Sequence, residues 1–600
     1  MSEIAAQSSR TEHALLVLMG QYAQHLGLIK ALMSVPLHQK VRTHRTQTKI
    51  VEFLVAILAG LPHLEDISRD GNPLDQDQAV AYAWQQESWA DYSGVARTLQ
   101  ALRQTEAEAI GHVLESISQP FLDQQVMQAL VEQGRLIYDG DLTGRPVSNT
   151  STTYPGAAYG HMDDEVRLGY QAAVVSLLSP TYRRLWLSVK PHPGNTVSCQ
   201  WAEEMVLAAE ARTGVRPWRR TDLLSQRLRS LGDSQVKAEK RLEQRRQVLT
   251  EAQAELQRRQ ERLQNAEATL QALTVNYQTR DRLERPHSKL AQARSQVQTR
   301  QRQCEHQMQA VTKAEQHVEH QATRAVILHA QKDRLSERLQ RFERENAANV
   351  SPVQAVFRLD AGFGTWDNVA LLIEMGYEVY TRPCNHQVKT GLLRHIDDAT
   401  HWMRVGDNAE MVAWPAQQLK GCPYPIDVAL ERFYTGKTLR YGALLHFGTD
   451  PVMDDLPAWF VFYNGRQVIE AGIKEGKGVF QMHHLKVRTA PALWLQEQFA
   501  AFAANFVRWA AHWLSTQCYQ EPDQWFTPVA ASVKTLVQVA AHTPAYVEWL
   551  PDGCLLRFAD ESLYAGRAVQ TGGYAFQLSL PLFQSCSFEP FSTDPALIAQ

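Results

Sequence analysis

The sequence predicts an α/β protein: a helical N-terminal region, a core of short strands and helices, a long antiparallel coiled coil set into that core, and a small β-containing C-terminal region. Three observations predict this architecture. Apolar residues recur at helical spacing through residues 1–133. Short β-rich apolar runs, two of them ending in an acid, punctuate residues 134–217 and 348–515. Between those two segments, residues 218–347 carry apolar residues every seven positions and almost no glycine. A chain of 600 residues is too long for one ordinary core, and 44% hydrophobic residues with 14 Trp exclude a disordered chain.

The N-terminal helices are expected over Ala14–Val35, Thr48–Gly60 and Val113–Gln133. Between the last two, Trp89–Leu99 offers a short break and then a helix from about Ser93. Two readings are open there. The segment forms a helix-turn-helix whose Arg97 and Thr98 enter a DNA groove, or it belongs to a plain helical bundle.

From Arg135 the pattern changes. Arg135–Asp141, Gly169–Leu178 and Arg184–Lys190 read as strands, followed by the turn Pro191–Asn195 and a helix from Val197 to about Thr213. Three strands and then a helix is how a ribonuclease-H-like sheet begins. The sheet resumes at Ala355–Asp360, with a helix at Trp366–Met375 and a strand at Glu378–Arg382. Residues 383–457 read as a small mixed insertion that includes a short strand at Trp402–Val405. A strand at Trp459–Phe462 and then helices complete this second part of the core. Residues 516–600 turn β-like, with strands at Ala545–Leu550, Cys554–Phe558 and Ala575–Leu580.

The inserted segment has two heptad series. Leu242, Leu249, Leu256, Leu263, Leu270 and Tyr277 form the first, and Leu290, Val297, Cys304, Val311, Val318 and Ala325 the second. Arg285–Ser288, with Pro286, breaks the helix between them. Two runs around one break predict a helical hairpin with arms of ~85–100 Å at ~1.5 Å per residue. The seam is imperfect, since companion positions hold Ala252, Arg259 and Ala266.

Charge is unevenly placed. The whole chain is at −3, but Trp218–Ala347 holds 26 Lys and Arg against 17 Asp and Glu, a net of +9, and the remainder is at −12. A basic projection suggests an acidic partner such as DNA. The seven cysteines show no C-x-x-C pair and no zinc spacing, which suggests reduced thiols in a cytosolic protein. Ala14–Gly20 and Ile50–Leu61 are too short to span a bilayer, and Met1–Thr11 lacks the order of a signal peptide. No membrane partner is expected.

The chemistry is expected at three carboxylates. Asp141 and Asp360 each end an apolar strand, and Glu470 lies in a helix far down the chain. Two-metal phosphoryl transfer needs acids from separate elements converging on the cations. A lone Asp at a strand end is more often a cap, so the weight rests on the segment Tyr463–Lys477, which fits Y-(2)-R-(3)-E-(6)-K. At ~100° per residue Tyr463, Arg466, Glu470, Lys474 and Lys477 fall within about 80° of one another on a helix. That face suits a metal ligand among phosphate contacts. A solvated charged face is the competing account, but Gly465, Gly472 and Gly476 are poor choices for it. His161–Glu165 reads as a polar loop, and His483, His484 and Lys486 as surface or DNA-contacting residues.

The Tyr463–Lys477 block resembles the signature of bacterial insertion-sequence DDE transposases of the hairpin-forming Y-R-E-K group. Asp139–Thr143 is similar to the family's first-acid motif, Pro193–Thr196 to the turn after its third strand, and Arg358–Phe363 to its second-acid motif. The four stand in the family's order and span residues 135–515. The long segment 218–347 departs from the family pattern. The resemblance implies a cytoplasmic enzyme, nucleoid-associated when on DNA, that binds terminal inverted repeats, cuts by two-metal-ion chemistry and joins 3′ ends to target DNA. It implies Asp141, Asp360 and Glu470 as catalytic metal ligands for two Mg²⁺ (Mn²⁺ substituting), with Asp139 as a further candidate ligand. It also implies DNA contacts by Tyr463, Arg466, Lys474 and Lys477, with Arg97 added if the helix-turn-helix forms. A homodimer would act on paired ends, with a flipped base stacked on Trp402, Trp414 or Trp459. The alternative is a catalytically retired transposase acting as a DNA-binding scaffold.

Overall fold

A computed structural model describes residues 8–162, 165–436, 438–450, 455–522, 525–526 and 532–572. The chain divides into two compact units: Met1–Thr213 with Asn464–Gln600, and Gly214–Tyr463.

The first unit is organised around the helix Ala490–Gln517. Eighteen of its residues are buried, from Ala492 to Leu514. A helix that is apolar nearly all round must be covered on every side. The N-terminal helices cover part of it. Phe53 of Thr46–Leu58 meets Phe499, Phe121 of Gln104–Gln133 stacks on Trp509 at 4.3 Å, and Tyr22 of Ala14–His25 stacks on Trp513 at 5.0 Å. The strand Arg183–Pro193 covers another part: Asn505 donates to the Trp186 carbonyl and accepts from its amide, both at 2.9 Å. Helical N-terminus, sheet and C-terminal region thus share one core, because each buries a face on this helix.

The sheet of this unit is antiparallel. Leu136–Pro146 pairs with Glu165–Ser179, Asp141 opposite Val174, and Arg183–Pro193 pairs with the other edge, Val189 opposite Val174. Ala158–Met162 pairs with the first residues of Glu165–Ser179, so His161 lies on a strand and not in a polar loop. Asp163 and Asp164 lie outside the described residues. A second, five-stranded sheet joins the chain's two ends: Ser8–Thr11 pairs with Ala545–Leu550, which is followed by Gly553–Phe558, Ala568–Thr571 and Tyr519–Glu521. The strand expected at Ala575–Leu580 lies outside the described residues.

The helix Tyr92–Gln100, capped by Asp91, bears on the helix-turn-helix reading. Arg97 is exposed, but Thr98 is buried and its carbonyl accepts from Gln39. Thr98 is therefore a packing residue, not a groove contact.

The second unit contains two helices of 59 residues each, Thr221–Thr279 and Lys289–Ala347, packed along each other. The heptad positions are their less exposed ones. Leu224, Ala238, Leu290, Val297, Val311 and Leu335 are buried, while Leu242, Leu249, Leu256, Leu263 and Leu270 are half-buried beside polar companions. Ser288 opens the second arm by accepting from the Ala291 amide.

The remainder of this unit is a sheet. Ala355–Leu359 runs parallel to Glu378–Thr381, with the helix Trp366–Glu374 as the connection. Thr438–Phe447, Ile426–Thr435, Ala409–Gln417 and Met403–Arg404 extend that sheet one after another, all antiparallel. Residues 383–457 therefore widen the sheet instead of forming a separate insertion. Trp459–Phe462 is not a strand: it lies in the helix Leu456–Asn464, which starts where the Asp455 carboxylate accepts from the Ala458 amide. Trp459 and Tyr463 then enter a core with Val356, Tyr380, Met411, Ala429 and Leu444. Among the described residues no helix is long and apolar enough to cross a membrane.

Candidate active site

Asp141 stands mid-strand, because the long partner Glu165–Ser179 continues the pairing to Pro146. Its Oδ1 accepts from the Leu142 amide at 2.8 Å. Asp139, two residues earlier, is buried opposite Ser176. Glu470 lies in the first turn of the helix Gln467–Gly478, where the helix dipole favours an acid. Between Asp141 and Glu470 lies Arg466, the residue that precedes this helix. Its Nη1 is 3.7 Å from Asp141 Oδ2, and its Nη2 donates to Glu470 Oε1. The Arg466 and Asp141 side chains are each 14% exposed and that of Glu470 40%. Two carboxylates from a strand and a helix thus share one cationic group at the edge of solvent.

The single helical face expected over Tyr463–Lys477 is not formed. One helix ends at Asn464 and the next begins at Gln467, with Gly465 between them. Tyr463 is buried in the second unit, where its hydroxyl donates to the Leu359 carbonyl at 3.3 Å and Arg382 lies over its ring. It is a core residue there, not an exposed phosphate contact. Lys474 is exposed, and Lys477 is half-buried with its carbonyl accepting from His483 Nδ1. His483 lies against His484, which meets His63. The Lys486 ammonium is buried, and burial pushes it down to about 8.

Gly472 and Gly476 of the Glu470 helix have a packing reason. Arg184, from the strand Arg183–Pro193, runs beneath the helix and donates through Nη1 to the Val468 carbonyl. A Cβ at Gly472 would lie 2.2 Å from Arg184 Cζ, and one at Gly476 would lie 2.5 Å from Met482 Sδ. Glu475, on the same helix, accepts from Arg508 at 2.8 and 2.9 Å, and Arg184 Nη2 stands 3.5 Å away. Burial, with Arg508 nearby, pulls the Arg184 guanidinium down to about 10, while Glu475 and Asp139 oppose the shift. Sequence reasoning missed Arg184 and Arg508, although Gly472 and Gly476 in one short helix were a signal that something passes close by.

Asp360 belongs to the second unit and follows the strand Ala355–Leu359 directly. Its Oδ1 accepts from the Gly362 amide, and its carbonyl accepts from Thr381 Oγ1 at 2.9 Å. Arg358, on the same strand, is buried and donates to the Phe462 carbonyl. Of the three tryptophans, Trp459 is buried in the core, and Trp414 is half-buried. Trp402 is half-buried with Arg432 stacked over its ring at 4.1 Å.

Among the described residues no three His, Cys, Asp or Glu side chains are grouped closely enough to hold a metal ion. Asp141 and Glu470 are hard oxygen donors already gathered around a cation, a donor chemistry that suits Mg²⁺ or Mn²⁺. The chain matches no family model and no curated protein.

Proposed function

We propose that the protein is a DDE-type DNA transposase that binds the terminal inverted repeats of a mobile element, cuts their strands and joins the 3′ ends to target DNA. The observation that carries this reading is the placement of Arg466 between Asp141 and Glu470. The motif's Arg and Glu thereby meet an acid more than 300 residues away in sequence. The elements support a ribonuclease-H-like core as well: three antiparallel strands in one unit and a parallel strand–helix–strand in the other are the parts such a sheet needs.

In this reading Asp141, Glu470 and Asp360 hold two divalent ions, with Asp139 supporting Asp141 from the same strand. Bound Mg²⁺ or Mn²⁺ supplies Lewis-acid stabilisation of the phosphoryl oxygens. The chain's own part is positional. Arg184 and Glu475 fix the helix that carries Glu470, and Arg466, Lys474 and Lys477 offer cations to DNA phosphates. Two protomers on paired ends, in a bacterial cytoplasm, complete the proposal. The same Arg466 also suits a retired scaffold in which a guanidinium permanently replaces the metal.

The test is cleavage of DNA carrying the sequences that flank the gene. Asp141→Ala, Asp360→Ala and Glu470→Ala should each abolish Mg²⁺- or Mn²⁺-dependent cutting and leave DNA binding largely intact. Cutting in excess chelator, or full activity in any of the three, would refute the assignment. Wild-type protein that binds such ends and never cuts them would establish the scaffold.

A further inference from the structure

The coiled coil of the second unit is not uniformly basic. Residues 258–302, its distal part, hold ten Arg and Lys against four Asp and Glu, a net of +6 out of the hairpin's +9. The rest of the hairpin holds only +3. Both parts hold paired cations and cations with no ion pair among the described residues. Near the base, Arg219 pairs with Glu345, Arg220 with Asp222, and both Arg227 and Arg338 with Glu374. In the distal part Arg258 and Arg259 pair with Glu255 and Arg294 with Glu284, while Arg262, Arg280, Arg282 and Arg285 are exposed and make no ion pair among the described residues.

The base of the hairpin is fixed. Glu374, fully buried at the end of the helix Trp366–Glu374, accepts from Arg227 of one arm, Arg338 of the other and the Tyr424 hydroxyl. Arg219 donates to the Met375 carbonyl at 3.0 Å, and its backbone exchanges two hydrogen bonds with the Asn346 side chain. Releasing a buried carboxylate from two guanidinium partners is costly. The arms therefore leave this anchorage in a set direction. At ~1.5 Å per residue the distal part begins about 55 Å from the base and ends about 90 Å from it.

We infer that residues 258–302 grip the phosphate backbone of duplex DNA, about 16–26 base pairs along a straight duplex from the level of the hairpin's base. Nine of the ten distal cations are Arg, the side chain whose fork matches phosphate oxygens. Among the described residues the exposed large apolar side chains near the tip turn are Val275 and Leu283, so little there would bury against a protein partner. The inference deepens the transposase reading by adding a second grip on DNA, but it rests on the hairpin's own charge and anchorage.

The experiment uses the full chain and a duplex of arbitrary sequence, with affinity read by fluorescence anisotropy over a range of salt. The triple variant Arg280→Glu, Arg282→Glu, Arg285→Glu is compared with Arg229→Glu, Lys237→Glu, Lys240→Glu, which makes the same charge change at exposed sites nearer the base. The distal variant should lose affinity on the order of tenfold or more, and its log–log salt slope should fall by about 2–3. The proximal variant should lose much less. Equal losses in both variants would mean a diffuse electrostatic effect and overturn the inference, as would an unaltered distal variant. A distal variant that keeps its affinity but changes sedimentation from dimer to monomer would make the tip a contact between copies and overturn it equally. Duplex binding through the tip by a protein that never cuts DNA would sink the transposase reading alone.

Discussion

The guanidinium of Arg184 occupies the space that a side chain at Gly472 would need, with only 2.2 Å between Arg184 Cζ and a Cβ built there. Arg184 is 5% exposed in its side chain and reaches from a strand to the Val468 carbonyl, two residues before Glu470. The height of the Glu470 helix over the sheet therefore depends on the absence of a side chain at position 472. Gly472→Ala should displace either the helix or the Arg184 fork and cost about 1–3 kcal/mol, measured by chemical denaturation. Cleavage should fall on the order of tenfold or more, because the helix carries Glu470, and affinity for a cleaved end should fall less, because Lys474 and Lys477 shift with the helix but keep their charges. A Gly472→Ala protein of wild-type stability and activity would show that Arg184 can give way freely.

Arg466 is the cation that Asp141 and Glu470 share. Arg466→Ala leaves two facing carboxylates without it, so the metal-free protein should melt at lower temperature than wild type. Added Mg²⁺ should raise that melting temperature more in the variant than in wild type, since a bound cation relieves the same repulsion. Thermal melts with and without Mg²⁺ read this directly. Equal Mg²⁺ responses would mean that the ion does not bind between these acids.

Lys474 and Lys477 offer a separate reading of the same helix. Lys474→Ala and Lys477→Ala should each weaken binding to a cleaved end and reduce the log–log salt slope by about 1 for each phosphate no longer neutralised. Lys474, which is exposed, should show the cleaner effect. An unchanged slope in both would leave these lysines as solvated surface charges.

How much of this was legible follows from the range of the forces involved. The hairpin was legible because a heptad seam is a local, repeated pattern, and Leu290, Val297 and Val311 are buried where that pattern puts them. The strands bearing Asp141 and Asp360 were legible as apolar runs, though the first runs on to Pro146 because its partner is long. Ser8–Thr11 was not, since four mostly polar residues become a strand only by pairing with Ala545–Leu550, more than 500 residues away. Trp459–Phe462 misled because an aromatic run fits a buried strand or a buried helix equally well, and Asp455 decides for the helix. Arg466 was read as a phosphate contact, but only the fold brings Asp141 to its other side.

Glu52 gives a prediction in pH. It is fully buried in the helix Thr46–Leu58, its Oε2 accepts from the Ala90 amide at 3.0 Å, and its Oε1 has no hydrogen-bond partner. Burial holds its carboxyl well above the ordinary range, the Ala90 bond opposing and Asp75 and Asp91 adding to the shift. A carboxyl raised by folding favours the folded state fully below its unfolded value, near 4.5, and that contribution is lost as pH rises through the folded value. Glu52→Gln should remove this slope and stabilise the protein by about 1–3 kcal/mol at alkaline pH relative to wild type. Urea denaturation at several pH values checks it; parallel pH profiles for the two proteins would show that Glu52 ionises in the fold without penalty.

Glu374 decides where the coiled coil can be cut away. Replacing residues 228–337 with a short Gly/Ser linker keeps Arg227 and Arg338, so the buried Glu374 retains both guanidinium partners. The remaining strands and the Arg219–Asn346 bonds are untouched, and the shortened protein should fold with a cooperative melt close to that of the full chain. Replacing Arg219–Arg344 instead removes every Arg from Glu374 and also the Arg219 bond to the Met375 carbonyl. An uncompensated buried carboxylate costs about 3–5 kcal/mol, so this longer deletion should be markedly less stable, and Glu374→Leu, which removes the buried charge, should recover much of the loss. In the shorter deletion, cleavage of a single end should survive while assembly of paired ends is impaired. If both deletions melt alike, the clamp at Glu374 contributes nothing to the fold. If the shorter one transposes at the full rate, the hairpin has no part in the reaction.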